Sequence, residues 1–104
     1  MPYLIDTVIP AAKTAERDAI RAEHLAYLEA NVGVLLAAGA KLEDDGRVGP
    51  GSFYLVDVES RAEAERFIAG DPYAKAGLIT SMTLTRVRRG FFNHARATPA
   101  APGR

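Results

Sequence analysis

The chain has 104 residues, 25% of them charged, and its 13 basic and 13 acidic side chains cancel to a formal net charge of zero. This length predicts a single domain, and the charge balance argues against a binding surface for nucleic acid or an anionic membrane. The absence of cysteine excludes disulfides, thiolate nucleophiles and cysteine-based metal sites.

The N-terminal part predicts a strand followed by a helix. It has no basic segment leading into an apolar run, so we expect no secretory signal and a cytoplasmic protein. Residues 3–9 are rich in aromatic and β-branched side chains and predict a strand that Pro10 ends. Thr14 is a candidate N-cap for a helix that we expect to run to about Asn31.

The middle of the chain predicts two further strands. Residues 34–38 are apolar and predict a helical turn that Gly39 ends, before a short strand over residues 40–43. Loop-forming residues occupy positions 44–51. Residues 52–58 then give the strongest strand pattern in the chain.

Two cap signals mark the second helical region. Ser60 and Glu63 match a capping box, so a helix begins there and ends at Gly70. Asp71 and Pro72 have the residue types of an N-cap and a first helical position, and they predict a second, short helix directly afterwards.

The order of elements predicts the fold. Residues 81–89 supply a last strand, which gives the order β-α-β-β-α-β within a domain of residues 1–92. This order is typical of the α+β ferredoxin-like fold, an antiparallel sheet with both helices on one face. Residues 93–104 are rich in Ala, Pro, Gly and Arg, and they predict a disordered tail.

Both faces of the predicted sheet are apolar. The first strand directs Tyr3 and Ile5 to one face and Leu4 and Val8 to the other. The helices can cover only one of these faces, and a second copy of the chain is the simplest cover for the other. We therefore predict a homodimer in which two sheets pack face to face into a barrel.

His24 is the first candidate for chemistry, because it lies on the apolar face of the first helix. Both helices share one face of this fold, so His24 and Asp71 can converge. A carboxylate bonded to one imidazole nitrogen fixes the tautomer and leaves the other nitrogen as a general acid or base. Arg21, one turn earlier, is a candidate for binding an anionic group. Ser52 and the backbone of residues 49–51 are candidate donors to an oxyanion.

Purely structural explanations exist for the same residues. A histidine on an apolar helix face is commonly a hydrogen-bonded core residue, and Asp71 is fully explained as an N-cap. Arg17 and Arg21 can cover the rim of the core with solvated head groups. The remaining tyrosines favour core or interface positions over catalysis; they are Tyr27, Tyr54 and Tyr73.

Metal and cofactor sites are not expected. The two histidines, His24 and His94, are far apart in the sequence, and the scattered carboxylates show no ligand spacing. The chain has neither a phosphate-binding loop nor the glycine-rich fingerprint of dinucleotide-binding proteins.

Five short motifs, in this order and spacing, carry a family resemblance across residues 3–92. They are Arg21-x-x-His24-Leu25, Leu35-Leu36-Ala37-Ala38-Gly39, Gly51-Ser52, Val58-Glu59-Ser60-x-x-Glu63-Ala64 and Asp71-Pro72-Tyr73-x-x-Ala76-Gly77-Leu78. With them the chain resembles the YCII-related (YciI-like) family. The resemblance implies a dimeric α+β barrel of ferredoxin-like protomers. It also implies that His24 and Asp71 match the His–Asp pair proposed as the family's active site.

The resemblance gives a precedent for activity but no substrate. One branch of the family acts as a dehydrochlorinase in the breakdown of chlorinated aromatics. This chain departs from the common pattern at Gly39-Ala40, where the family usually has Gly-Pro, and in its last strand, which lacks a frequent proline. Its loop before Gly51 is also shorter than in many members. These differences flank the expected pocket.

Two classes of function follow. The first is a cofactor-independent enzyme that uses His24 and Asp71 for elimination, isomerisation or hydrolysis of a small anionic or phenolic molecule. Arg21, Ser52 and Tyr73 would contact the substrate. The second is a non-catalytic dimeric module that binds a small ligand or a partner, and cofactor-free oxygen chemistry is a related possibility. Hydrogen bonding between His24 and Asp71 beside a cavity would favour the enzyme.

Overall fold

A four-stranded antiparallel sheet with helices on one face forms the body of the protein. The computed structural model describes residues 1–97. The sheet order is β2-β3-β1-β4, and a separate two-stranded hairpin follows. This arrangement confirms the predicted α+β ferredoxin-like class. The elements are β1 (Tyr3–Val8), α1 (Thr14–Ala30), β2 (Leu35–Leu42), β3 (Val48–Val56), α2 (Arg61–Ala69), α3 (Pro72–Lys75), β4 (Ser81–Arg86), β5 (Phe91–Phe92) and β6 (Ala95–Arg96).

The core lies between the sheet and the helices. Ile5 of the central strand β1 is paired with Tyr54 on β3 and with Leu84 on β4, so these three side chains share the helix-covered face. Phe67 and Ile68 of α2 pack onto that face and are buried with it. The alternation of side chains along β1 and β3 therefore places Ile5 and Tyr54 on the helix-covered face, as the sequence predicted.

The structure corrects the prediction for β2. Residues 34–38 are not a helical turn, because the helical geometry stops at Val34 and the extended β2 begins at Leu35. A short apolar run does not distinguish strand from helix, and here pairing with β3 decides, with a register shift between Leu35 and Ala37. Gly39 lies within the strand and not at a helix end, packed against the ring of Phe53.

Other boundaries shift by a few residues. Thr14 is not the N-cap of α1, because Ala11–Lys13 form a preceding 3-10 turn and the Thr14 hydroxyl donates to the Ala11 carbonyl at 2.8 Å. β3 starts at Val48, so pairing with β2 absorbs half of the expected loop. β4 ends at Arg86.

Both cap signals of the second helical region are confirmed. The Ser60 hydroxyl accepts a hydrogen bond from the backbone N–H of Glu63, and α2 begins at the next residue after Ser60. The Asp71 carboxylate accepts from the backbone N–H of Tyr73 at 2.8 Å, with Pro72 as the first helical residue of α3.

The chain continues beyond the predicted domain boundary into the β5–β6 hairpin. Asn93 and His94 form its turn with φ angles of 53° and 63°. Residues 98–104 of the predicted disordered tail lie outside the described residues.

The second face of the sheet has no helix over it within residues 1–97. We call it the open face and define it by Leu4, Val8, Phe53 and Leu55, which are all half-buried. An ion pair between Lys41 and Asp6, at 2.8 Å, also lies on this face. Among the described helices, none has both the length and the apolar character needed to cross a membrane.

Candidate active site

One face of α1 forms a wall of the site. Spacings of four, three and four residues place four side chains on this face, namely those of Arg17, Arg21, His24 and Leu28. The helix packs against α3, and its Tyr27 and Leu28 pack against the buried core on the sheet. His24 is thereby buried, with 6% of its surface exposed.

His24 and Asp71 form a buried pair. The Nδ1 atom of His24 lies 2.9 Å from both carboxylate oxygens of Asp71, which is fully buried. The Tyr54 hydroxyl donates to Oδ2 of Asp71 at 3.1 Å, and the Tyr73 N–H donates to Oδ1. Because an ionised carboxylate only accepts hydrogen bonds, Nδ1 of His24 carries the hydrogen in this contact, and Nε2 is the ring nitrogen left for another partner.

A cavity of about 190 Å³ lies beside this pair, and through it small molecules can reach the imidazole ring of His24. His24 is part of its lining, together with the small side chains Ala38 and Ala40 of β2. Within residues 1–97, no fully buried side-chain nitrogen or oxygen lacks a hydrogen-bond partner. Nε2 of His24 has no hydrogen-bond partner within these residues, so it is not among the fully buried atoms and is accessible from the cavity.

Aromatic stacking holds the imidazole in place. The rings of His24 and Tyr73 are stacked, with centroids 3.9 Å apart and an interplanar angle of 12°. The guanidinium carbon of Arg17 lies over the Tyr73 ring, 5.7 Å from its centroid. The Asp71 bond and the stack together restrict both the rotation and the tilt of the His24 ring.

Tyr54 is a permanent donor in this cluster. Burial raises the pKa of the Tyr54 phenol well above 10.0, and the negative charge of Asp71 together with its hydrogen bond adds to the rise. The Tyr54 hydroxyl therefore keeps its proton near neutral pH and continues to donate to the carboxylate.

All five predicted site residues meet in one place. His24, Arg21, Ser52 and Tyr73 line the cavity, and Asp71 lies against the ring of His24 on the buried side. The assignment of catalytic and substrate-binding roles to them stays a prediction.

One expectation about this region is wrong. Arg17 is not at the rim with a solvated head group; it is 7% exposed, and it donates to the carbonyls of Gly49 and Gly51. The main-chain N–H of Ser52 is bound to the Thr7 hydroxyl at 3.1 Å, so this amide is not free to stabilise an oxyanion. The role of the Ser52 side chain and of the backbone of residues 49–51 as donors stays a prediction.

Two residues with contacts in the site were missed by the sequence reasoning, namely Tyr54 and Arg17. Tyr54 alternates with Ser52 and Val56 on the helix-covered face, and a buried phenol needs a hydrogen-bond partner. Arg17 lies seven residues before His24, which is two helical turns and therefore the same face. Both signals were present in the sequence, but they did not identify the partner.

No group of three or more histidine, aspartate and glutamate side chains that could hold a metal ion occurs within residues 1–97.

Comparisons with known proteins point to one family. The model of the YCII-related domain matches residues 1–88. The chain is similar to the solved structure of 5-chloro-2-hydroxyhydroquinone dehydrochlorinase from Burkholderia phenoliruptrix in complex with 2,5-dihydroxybenzoquinone. The identity is 31%, the match covers 85% of this chain and 94% of that one, and the TM-score is 0.76.

A second, more remote similarity is to a proposed antibiotic biosynthesis monooxygenase from Bacteriodes thetaiotaomicron. The identity is 17%, the match covers 99% of this chain and 91% of that chain, and the TM-score is 0.49. No curated protein matches the chain.

Proposed function

The chain belongs to the YCII-related domain family, and from this premise we propose that it is a small-molecule enzyme of the lyase type, with His24 as its general acid and base. One observation carries the proposal. Nδ1 of His24 is held by the buried carboxylate of Asp71, while the same ring lines a cavity through which a substrate can reach Nε2. The similar dehydrochlorinase gives a precedent for elimination in this family.

The proposed chemistry moves one proton. Nε2 of His24 removes a proton from the substrate, the released electron pair forms a new double bond, and the leaving group departs with its own bonding pair. The imidazolium that forms is stabilised by the adjacent Asp71 carboxylate. Nε2 then returns its proton to solvent or to the leaving group. These steps need no cofactor.

The cavity suits a single-ring substrate. Its volume of about 190 Å³ exceeds the roughly 150 Å³ of an engineered cavity that accommodates benzene. Arg21 lines the cavity as an exposed cation, and Tyr73 contributes an aromatic ring. A small phenol or a related acidic ring compound, of the kind named for the dehydrochlorinase, fits these features.

We further propose that the protein works as a homodimer. The open face carries four large apolar side chains that remain half-exposed in one copy of the chain, and a net charge of zero offers little repulsion between two copies. Packing of two open faces would bury these side chains and build the predicted barrel. The cytoplasmic location stays a prediction from the sequence.

Conservative variants of the pair test the catalytic proposal. His24→Asn keeps an amide donor near the position of Nδ1 but removes Nε2, and Asp71→Asn keeps the size of the carboxylate but not its charge. With 5-chloro-2-hydroxyhydroquinone as substrate and chloride release as the measurement, we expect both variants to lose about 100- to 10,000-fold in turnover. Circular dichroism should show that both remain folded.

His94→Asn is the matched control, because His94 lies in the hairpin turn at a positive φ that asparagine tolerates. It should retain wild-type turnover. Turnover by His24→Asn at the wild-type rate would contradict the proposal. If the wild type binds 2,5-dihydroxybenzoquinone but releases no chloride, the non-catalytic ligand-binding alternative is favoured instead.

A further inference from the structure

Among residues 1–97, two arginines and no acidic side chain line the cavity. Arg17 and Arg21 lie one turn apart on α1, and both line the cavity, whereas no aspartate or glutamate does. Arg17 is 7% exposed and forms no ion pair with any carboxylate in residues 1–97. A buried guanidinium without a counter-charge is costly to maintain, so a purely structural role explains it poorly.

The contacts that Arg17 makes satisfy it only in part. Its Nη1 and Nη2 atoms donate to the carbonyls of Gly49 and Gly51 at 3.2 and 3.4 Å, and the ring face of Tyr73 lies alongside. A guanidinium carries five N–H donors, so three remain after these two bonds. Carbonyl dipoles and an aromatic face offset a positive charge less completely than an anion does.

The charges of the site also leave a place for an anion. The nearby carboxylate of Asp71 is already engaged by donors from His24, Tyr54 and Tyr73. The two cations Arg17 and Arg21 outnumber the one carboxylate, Asp71. A negatively charged oxygen in the cavity would offset this excess of positive charge.

We propose that Arg17, together with Arg21, forms a subsite for an anionic oxygen of the ligand, such as a phenolate, an enolate or a carboxylate. The ligand then binds in its ionised form with its ring beside Nε2 of His24. In this proposal Arg17 stabilises the negative charge of the ligand. Binding of an anion at this subsite does not depend on the proposed function, because binding does not require turnover. Only the role of the bound ligand as a substrate rests on the proposed function.

A pair of ligands that differ in charge tests the subsite. The hydroxyl groups of 2,5-dihydroxybenzoquinone ionise in neutral buffer, whereas 2,5-dimethoxybenzoquinone stays neutral. We expect Arg17→Met to weaken binding of the first by about 10- to 100-fold and to leave binding of the second unchanged. Isothermal titration calorimetry at low ionic strength measures both affinities.

Arg61→Met is the matched control for lost packing. Arg61 of α2 also donates to a backbone carbonyl, that of Leu84 at 2.9 Å, and its guanidinium lies over the ring of Tyr3 at 6.0 Å. It does not line the cavity, so this variant should bind both quinones as the wild type does. If Arg17→Met fails to fold, Arg21→Met at its exposed position should show the same charge-selective loss.

Three results would overturn the subsite. They are a wild type that does not bind the ionised quinone, an arginine variant that binds it equally well, and an equal loss of affinity for both quinones, which would assign Arg17 a structural role only. A different result would contradict the proposed function alone. If the wild type shows no turnover, but the wild type and His24→Asn both bind the ionised quinone in preference to the neutral one, the anion subsite is supported and the lyase activity is not.

Discussion

Asp71 combines a structural and a proposed chemical role in one carboxylate. It caps α3 through the Tyr73 N–H, and the same group orients His24. A fully buried carboxylate is tolerated here because three donors replace its lost hydration. The cap fixes the carboxylate relative to the backbone, and thereby fixes the imidazole that bonds to it. The structural explanation of Asp71 is therefore compatible with the catalytic one.

Tyr54→Phe tests the contribution of the third donor to Asp71. Removing the hydroxyl should lower the free energy of unfolding by about 1–2 kcal/mol at pH 8. The pKa of Tyr54 is raised in the folded state, so the unfolded chain ionises first, at its ordinary value of 10.0. The stability that Tyr54 contributes is thus complete below pH 10 and falls as the pH rises further.

The measurement for this variant is urea unfolding at about pH 8 and about pH 10.5. The difference in stability between the wild type and Tyr54→Phe should narrow at the higher pH, because only the wild type carries the ionising group. The other tyrosines are common to both proteins and cancel in the comparison. A difference that stays constant over this range would contradict a raised pKa for Tyr54.

Among the elements, β3 approaches β1 so closely at Gly51 that only a glycine fits there. Gly51 has a φ of 118°, and a Cβ atom built on it would lie 2.0 Å from the carbonyl oxygen of Thr7. Gly51→Ala should therefore cost more than about 3 kcal/mol, because backbone strain and a clash with main-chain atoms act together. Thermal and urea unfolding measure this loss.

Gly33→Ala is the control for this prediction. A Cβ at Gly33 meets no atom within 4 Å, and its φ is not in the left-handed region. That variant should change stability by less than about 1 kcal/mol. Equal stability of the two variants would mean that β3 can shift away from Thr7 at little cost.

The elements also show what the sequence can predict. The start of α2 and the start of α3 depend on residues that act locally, Ser60 and the Asp71-Pro72 pair, and both were predicted. The start of β2 depends on pairing with β3 and on a register shift, neither of which leaves a local signal in an apolar run.

The same distinction applies to the site. The convergence of His24 and Asp71 followed from helix periodicity and the fold class, and the structure places them in contact. The bond from Tyr54 to Asp71 and the burial of Arg17 depend on how three elements pack together. Sequence reasoning could place these side chains on the correct face, but it could not determine which atoms they meet.

At the scale of the whole molecule, the two faces of the sheet differ in their cover. The helices bury Ile5, Tyr54 and Val56 on one face, whereas the open face keeps its apolar side chains half-exposed within the described chain. The cavity opens on the helix side, between α1 and β2. A second copy on the open face would therefore leave the cavity entrance on the opposite side of the sheet free.

Leu55→Lys tests self-association through the open face. Leu55 lies at the centre of that face, opposite Leu4, and a lysine there would have to be buried without a partner in the dimer. Light scattering at micromolar concentration should give twice the 11.2 kDa chain mass for the wild type and the single-chain mass for the variant. Ala69→Lys adds the same side chain on the exposed surface of α2 and should remain dimeric. A wild type that scatters as a single chain would contradict the dimer but not the chemistry proposed for His24, because the bonds of Asp71 to His24, Tyr54 and Tyr73 all lie within one copy.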